Sequence, residues 1–285
     1  MTRTQSPSIL TLVKLAFVSL AITLVPQGVW SALIVTNLRT SPAVPWSVFA
    51  MAILVVVLAQ YLRGRWGSTN TAAARRESLR ATVVSGETFV WAGLAGAFSI
   101  TALIGVWIVL ASVIRMPGSV LPDLSKYPWW TAVLAVSMGM AISPLCEQAG
   151  IWGYLQEGLE RQVSGTTAVI VTALVFALLP HPPAGMALVP RVLFFFLVGL
   201  VFSTMAYLTK SILPGLAVHA LGLLAFFVLV WPHDTDRRLV TSVGTSFWFW
   251  MHVAQAVVFA GLGLAAFGTL ARVCASKAPS DEMIS

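Results

Sequence analysis

The chain has 285 residues, of which 58% are hydrophobic and only 9% charged, with a mean hydropathy of +0.88. A soluble domain carries about 25% charged residues, so this composition excludes a pair of soluble domains and defines a polytopic membrane protein. The net charge of +7 accompanies arginines and lysines that flank apolar runs, which is topology and anionic-lipid contact. No basic, aromatic-rich module of the nucleic-acid-binding kind is present.

The expected fold is all-α, a transmembrane helical bundle of about eight spans. The first runs from about 9 to 35, with Pro26 inside it. It is longer than a signal-peptide core and no small-x-small cleavage site follows, so it reads as a retained span. The second covers about 45–62. Arg63, Arg65, Arg75, Arg76 and Arg80 follow, the most basic loop of the chain. Within it, residues 71–84 are either an amphipathic surface helix or an ordinary positive-inside loop. The third span covers about 86–114, opened by Glu87 where the helix dipole favours an acid. Its pairs Gly93/Ala97 and Ala92/Gly96 are small-xxx-small packing signals, as is Gly261/Ala265 near the end of the chain.

A polar loop, 115–126, leads to Trp129 and Trp130, which suit a membrane interface. The fourth segment, 128–162, is too long for one straight span, and Pro144 is expected to kink or break it. The remaining spans are placed at 166–181, 189–208, 211–231 and 246–273, followed by a short solvated tail. The chain thus divides into N-terminal spans with the basic loop (1–127), a core (128–228), and a last span with its tail (229–285). With both termini inside, inner segments hold eleven basic residues, namely Arg3, Lys14, Arg63, Arg65, Arg75, Arg76, Arg80, Arg161, Lys210, Arg272 and Lys277. Outer segments hold six, Arg39, Arg115, Lys126, Arg191, Arg237 and Arg238. This bias favours an N-in, C-in protein of the cell membrane.

Three ionisable side chains stand out at membrane depth: Glu147, His181 and His219. A charged residue at the centre of a bilayer costs at least about 2.5–3.5 kcal/mol on insertion scales, so such residues face inward and pair. Glu147 lies 17 residues before Ser164 and His181 lies 17 after it. In an antiparallel hairpin turning there, equal path lengths return both to the same depth, about 25 Å from the turn at ~1.5 Å per residue. His219, about eight residues into its span, falls short of that depth by the same counting.

A Glu beside a His can hold a water and take its proton, and a second imidazole can donate to an oxyanion. The same three groups are ordinary zinc ligands. A structural hydrogen-bond cluster between helices is the plain alternative. Cys146 and Cys274 provide neither a disulfide framework nor a thiolate metal cluster. His252 lies in an aromatic band and suits packing. His233, Asp234 and Asp236 precede Arg237 and suit a self-compensating loop. Asn37, Gln60 and Gln255 suit interhelical hydrogen bonds.

The runs Glu-Gln-Ala-Gly-Ile-Trp-Gly-Tyr-Leu from Glu147, Phe-Ala-Leu-Leu-Pro-His ending at His181, and His-Ala-Leu from His219 after Leu-Pro-Gly resemble a family. They are similar, in order and spacing, to the three motifs of the CAAX prenyl protease and bacteriocin-immunity (CPBP, or Abi) intramembrane proteases. The resemblance covers about 128–228. It implies an eight-helix membrane bundle that cleaves a membrane-embedded or lipid-modified peptide. It also implies Glu147 as the base, His181 as its partner on the water and His219 as the oxyanion donor, with no cofactor required and zinc at these three left open.

The flanking motif positions depart from the family pattern. The second motif Glu is Gln148, the motif Arg is Trp152, Phe176 precedes His181 by five residues with Pro180 between, and the closing Asn/Asp falls on Leu223. A degenerate member that acts by binding, such as an immunity-type scaffold, is therefore the alternative expectation. A small proton-coupled transporter is a third, with no inverted repeat to recommend it.

Overall fold

The computed structural model describes residues 9–113, 124–181, 187–226 and 247–277. The expectations for the N-terminal residues, most of the 115–126 loop, the His233–Arg237 cluster and the tail beyond 277 lie outside the described residues. Among the described residues every regular element is helical.

Among the described residues, five helices are long and apolar enough to cross a membrane. They are α1 (Ile9–Thr40), α4 (Gly86–Val113), the run Trp129–Glu160, α8 (Leu188–Thr209) and α10 (Phe247–Ser276). Three apolar helices are shorter: α2 (Trp46–Leu62), α7 (Gly165–Leu178) and α9 (Leu213–Ala225). Ile9, Phe17, Phe49, Val189 and Leu264 are among the strongly exposed side chains, whereas Ser19, Thr23, Asn37, Glu147, Gln148 and His219 are buried. Apolar outside and polar inside is the pattern of a chain whose solvent is lipid.

The chain forms two compact units, residues 1–81 with 118–172, and residues 82–117 with 173–285. In the first, α1 passes through Pro26 without ending. It turns into α2 through Asn37, whose carboxamide is fully used. Nδ2 donates to the carbonyls of Ser41 and Val44, both at 2.8 Å. Oδ1 accepts from the Ser47 amide at 3.0 Å and hydroxyl at 2.8 Å. Thr131 and Trp130, at the start of the Trp129–Glu160 run, donate to the Pro42 and Ala43 carbonyls of the same turn. Asn37→Leu strips four partners at a buried site, and is expected to lower unfolding stability by about 2–4 kcal/mol. Thermal unfolding of the purified protein in detergent measures it.

Of the kink or break expected at Pro144, the break does not occur. Helix α5 (Trp129–Glu147) runs through the proline. The irregularity comes three residues later, where Gln148–Leu155 winds as a π-helix before α6 (Gln156–Glu160) resumes the tighter pitch. A proline deletes one backbone donor, and a membrane helix tolerates that where side chains and neighbours re-satisfy the freed carbonyl. The proposed 71–84 surface helix is shorter than expected. It is α3 (Ala72–Leu79), ended by Arg80 in the left-handed region at φ 52°.

In the second unit α4 and α10 lie against each other. A Cβ on Gly105 would sit 2.9 Å from the His252 carbonyl oxygen, and one on Gly263 would sit 3.0 Å from the Ser99 hydroxyl. Gln255 donates to the Thr101 carbonyl at 2.9 Å, the interhelical hydrogen bond expected of it, and pairs with His252. Lys277 bridges to Glu87 at 2.7 Å. Of the small-residue pairs, Ala92/Gly96 is at an interface, with Val218 and Met205 pressed on Gly96, while no described atom lies within 4 Å of a Cβ at Gly93 or Gly261.

Candidate active site

Each unit carries part of the chemistry read from the sequence: Glu147 in the first, His181 and His219 in the second.

Glu147 ends α5 and is buried. Its Oε1 accepts from the Ser143 hydroxyl at 2.6 Å, one helical turn earlier, and from Gln27 Nε2 on α1 at 3.4 Å. Gln27 also donates to the Thr23 carbonyl at 3.0 Å. Neither Gln27 nor Ser143 was singled out by sequence reasoning. The signal was present in α1, where Ser19, Thr23, Gln27 and Ser31 recur every four residues in an apolar span. That spacing places them on one face.

The π segment explains how this face reaches Glu147. Ser19 Oγ donates to the Gly150 carbonyl at 2.8 Å. A Cβ on Gly150 would sit 2.7 Å from the Ser19 carbonyl and collide with the Thr23 hydroxyl. Only glycine lets α1 approach this closely. Short π stretches in helices are frequent at functional sites, and this one starts on the residue after Glu147. Gln148 and Trp152, the two positions that depart from the motif, are both fully buried. Among the described residues the Gln148 carboxamide has no hydrogen-bond partner. Cys146 is buried in an apolar cluster with Met51 and Ile142, which is a packing role.

The two histidines are organised by α8. The His181 ring stacks on Phe195, with centroids 3.9 Å apart and planes at 17°. The His219 ring, carried by α9, stacks on Phe202 at 4.8 Å. Phe195 and Phe202 are seven residues apart, so they share one face of α8, two turns from each other. Gly199 lies between them on that face. There α7 comes so near that a Cβ would be 2.8 Å from the Ala173 Cα.

Pro180 has a physical role in this arrangement. Helix α7 ends at Leu178, and the proline at position 180 has no N–H to give the Phe176 carbonyl four residues back. That carbonyl accepts from the Leu179 amide at 3.1 Å and pairs with His181 Nε2 at 2.7 Å. A carbonyl only accepts, so Nε2 carries the hydrogen and the Nδ1 lone pair is left for other work. The Phe176 ring also packs on His181, at 4.5 Å. The five-residue spacing from Phe176 to His181 is thus a built turn, with the proline freeing the carbonyl that orients the imidazole.

The fold and these residues define an integral membrane protein, helical throughout its described residues, with a buried acid, a buried imidazole and a half-buried one set by hydrogen bonds and aromatic stacking. Residues 128–225 match the family described as type II CAAX prenyl endopeptidase Rce1-like, the same kinship that the motifs around Glu147, His181 and His219 suggest. No curated protein and no solved structure matches the chain.

Proposed function

We propose that the protein is an intramembrane endopeptidase of the CAAX-protease-like kind, acting on a membrane-embedded or lipid-modified peptide. The observation that carries this is the order of the three motifs, with Glu147, His181 and His219 all inside the stretch 128–225 that is Rce1-like. In this reading eight apolar helices span the cell membrane with both termini inside, residues 128–228 are the catalytic core, and anionic lipids face the basic loop.

Glu147 takes a proton from a bound water, and the resulting hydroxide adds to the carbonyl carbon of the scissile peptide bond. His181 supports the water through the Nδ1 lone pair that its bond to the Phe176 carbonyl leaves available. His219 donates to the oxyanion. Collapse breaks the C–N bond, and the proton held by Glu147 passes to the leaving amine. The Ser143 and Gln27 donors hold one carboxylate oxygen and so orient the base. Lipid walls keep bulk water away and strengthen each of these interactions.

The test is cleavage of a lipidated or transmembrane peptide panel by the full chain in lipid nanodiscs, read by mass spectrometry. His219→Ala is expected to lower kcat about 10²–10³-fold with KM little changed, because an oxyanion donor acts only in the transition state. His181→Ala is expected to lower it as well. Metal analysis of the same preparation and an arm with chelator separate water activation by these side chains alone from zinc-assisted hydrolysis. Binding of a panel peptide without cleavage in any arm would favour the scaffold reading. Neutral Gln148 and Trp152, in place of the charged motif residues, are the observation behind that reading.

A further inference from the structure

Arg80 is a cation buried to 7% exposure. It is held in the left-handed backbone region at φ 52°, a conformation that a non-glycine residue keeps only where its surroundings hold it. Its guanidinium makes two parallel bonds to Glu160, Nη1 to Oε1 at 3.0 Å and Nη2 to Oε2 at 2.7 Å. It also pairs with Glu157. Gln156 Nε2 donates to Glu160 Oε1 at 3.0 Å. A two-pronged guanidinium–carboxylate pair fixes direction as well as distance.

A second contact joins the same two elements. A Cβ on Gly153, inside the π segment, would lie 2.9 Å from the Leu79 carbonyl oxygen and 3.3 Å from that of Ser78. The end of α3 is therefore seated on the π segment by its backbone and fastened just beyond it by Arg80. The other arginines of the basic loop do different things. Arg75 is spent inside the loop, on the carbonyls of Tyr61, Trp66 and Ser68 and on the Tyr61 ring. Arg63, Arg65 and Arg76 are exposed.

Glu157 and Glu160 continue the helical run that starts from Glu147 through eight π-helical residues. A π stretch is a rare departure from the tighter α pitch. Its register persists here between fixed points: Ser143 and Gln27 at Glu147, Ser19 at Gly150, and Arg80 at its far end.

We propose that Arg80 is a positioning residue for Glu147. By clamping Glu157 and Glu160 it holds the π register of Gln148–Leu155 and so fixes how the Glu147 carboxylate is presented. Position 152, where the related motif has an arginine, is a buried tryptophan here. That Glu147 is the reacting base rests on the function proposed above. That Arg80 locks the π register does not.

Cys146 is a native reporter, fully buried and next to Glu147. On a Cys274→Ser background, N-ethylmaleimide labelling of the full chain in nanodiscs is followed by mass spectrometry. Arg80→Gln is expected to speed labelling of Cys146 at least tenfold. Arg80→Lys is expected to restore only part of the protection, since one ammonium keeps the charge but not the fork, and Arg75→Gln to leave the rate unchanged. In the cleavage assay, Arg80→Gln is expected to lower kcat at least tenfold with KM within twofold. If Arg80→Gln cannot be recovered folded, Glu160→Gln removes half of the clamp and is expected to raise labelling about threefold. Wild-type labelling rates in folded Arg80→Gln, or in Glu160→Gln where that variant alone is recovered, would overturn the proposal. So would a labelling rate that rises equally in Arg75→Gln. Faster labelling in a protein with no cleavage activity would retain the clamp and count against the function.

Discussion

Glu147→Gln is expected to lower peptide hydrolysis by about 10²–10⁴-fold, the range that a positioned general base supplies. The amide keeps the shape of the carboxylate, and its oxygen still accepts from the Ser143 hydroxyl, now at 2.6 Å from the acid. The fold has no reason to respond, so thermal unfolding should stay at the wild-type value while kcat falls. Cleavage of the peptide panel in nanodiscs, with an unfolding curve on the same sample, reads both. An unchanged kcat would remove Glu147 from the reaction. A collapse of stability would instead make the carboxylate a structural group, held for its bonds to Ser143 and Gln27.

The second large effect is expected from Gly199→Leu. The atoms facing that glycine are backbone, with Ala173 Cα 2.8 Å and the Ala173 oxygen 2.9 Å from where a Cβ would stand. Backbone cannot step aside as a flexible side chain does, so α7 and α8 must part. Overpacking of this kind costs about 1–3 kcal/mol, and occasionally more. The chemistry should suffer with the stability. His181 follows directly from the end of α7 and leans on Phe195 one turn before Gly199, with Phe202 and His219 just beyond. Thermal unfolding and kcat should fall together. Gly93→Leu is the control, since no described atom lies within 4 Å of a Cβ there; its expected effect on both is small.

Much of the architecture was legible along the chain. The apolar runs and their proline, glycine and tryptophan punctuation located the helices to within a few residues: Trp46–Leu62, Gly86–Val113 and Leu188–Thr209 stand about where the sequence places spans two, three and six. The identities of Glu147, His181 and His219 were legible too, because an ionisable side chain is conspicuous against so apolar a background. The π segment was not. Nothing in Gln-Ala-Gly-Ile-Trp-Gly-Tyr-Leu marks a wider pitch, nor that Gly150 meets α1 and Gly153 the end of α3.

Sequence by itself determined that this chain belongs in a membrane, that it is helical, and which three ionisable side chains are the candidates for its chemistry. Those properties depend on composition, run length and residue type, which need no neighbours. Tertiary structure decided which face of each helix turns inward. Gly263 rather than Gly261 meets the partner helix, Gln27 reaches a carboxylate 120 residues away, and Arg80 rather than any other loop arginine is drawn into the interior. The reason is physical. A span that is apolar all round has no amphipathic period to point with, so orientation falls to close packing and to the few polar groups that must find one another out of reach of water.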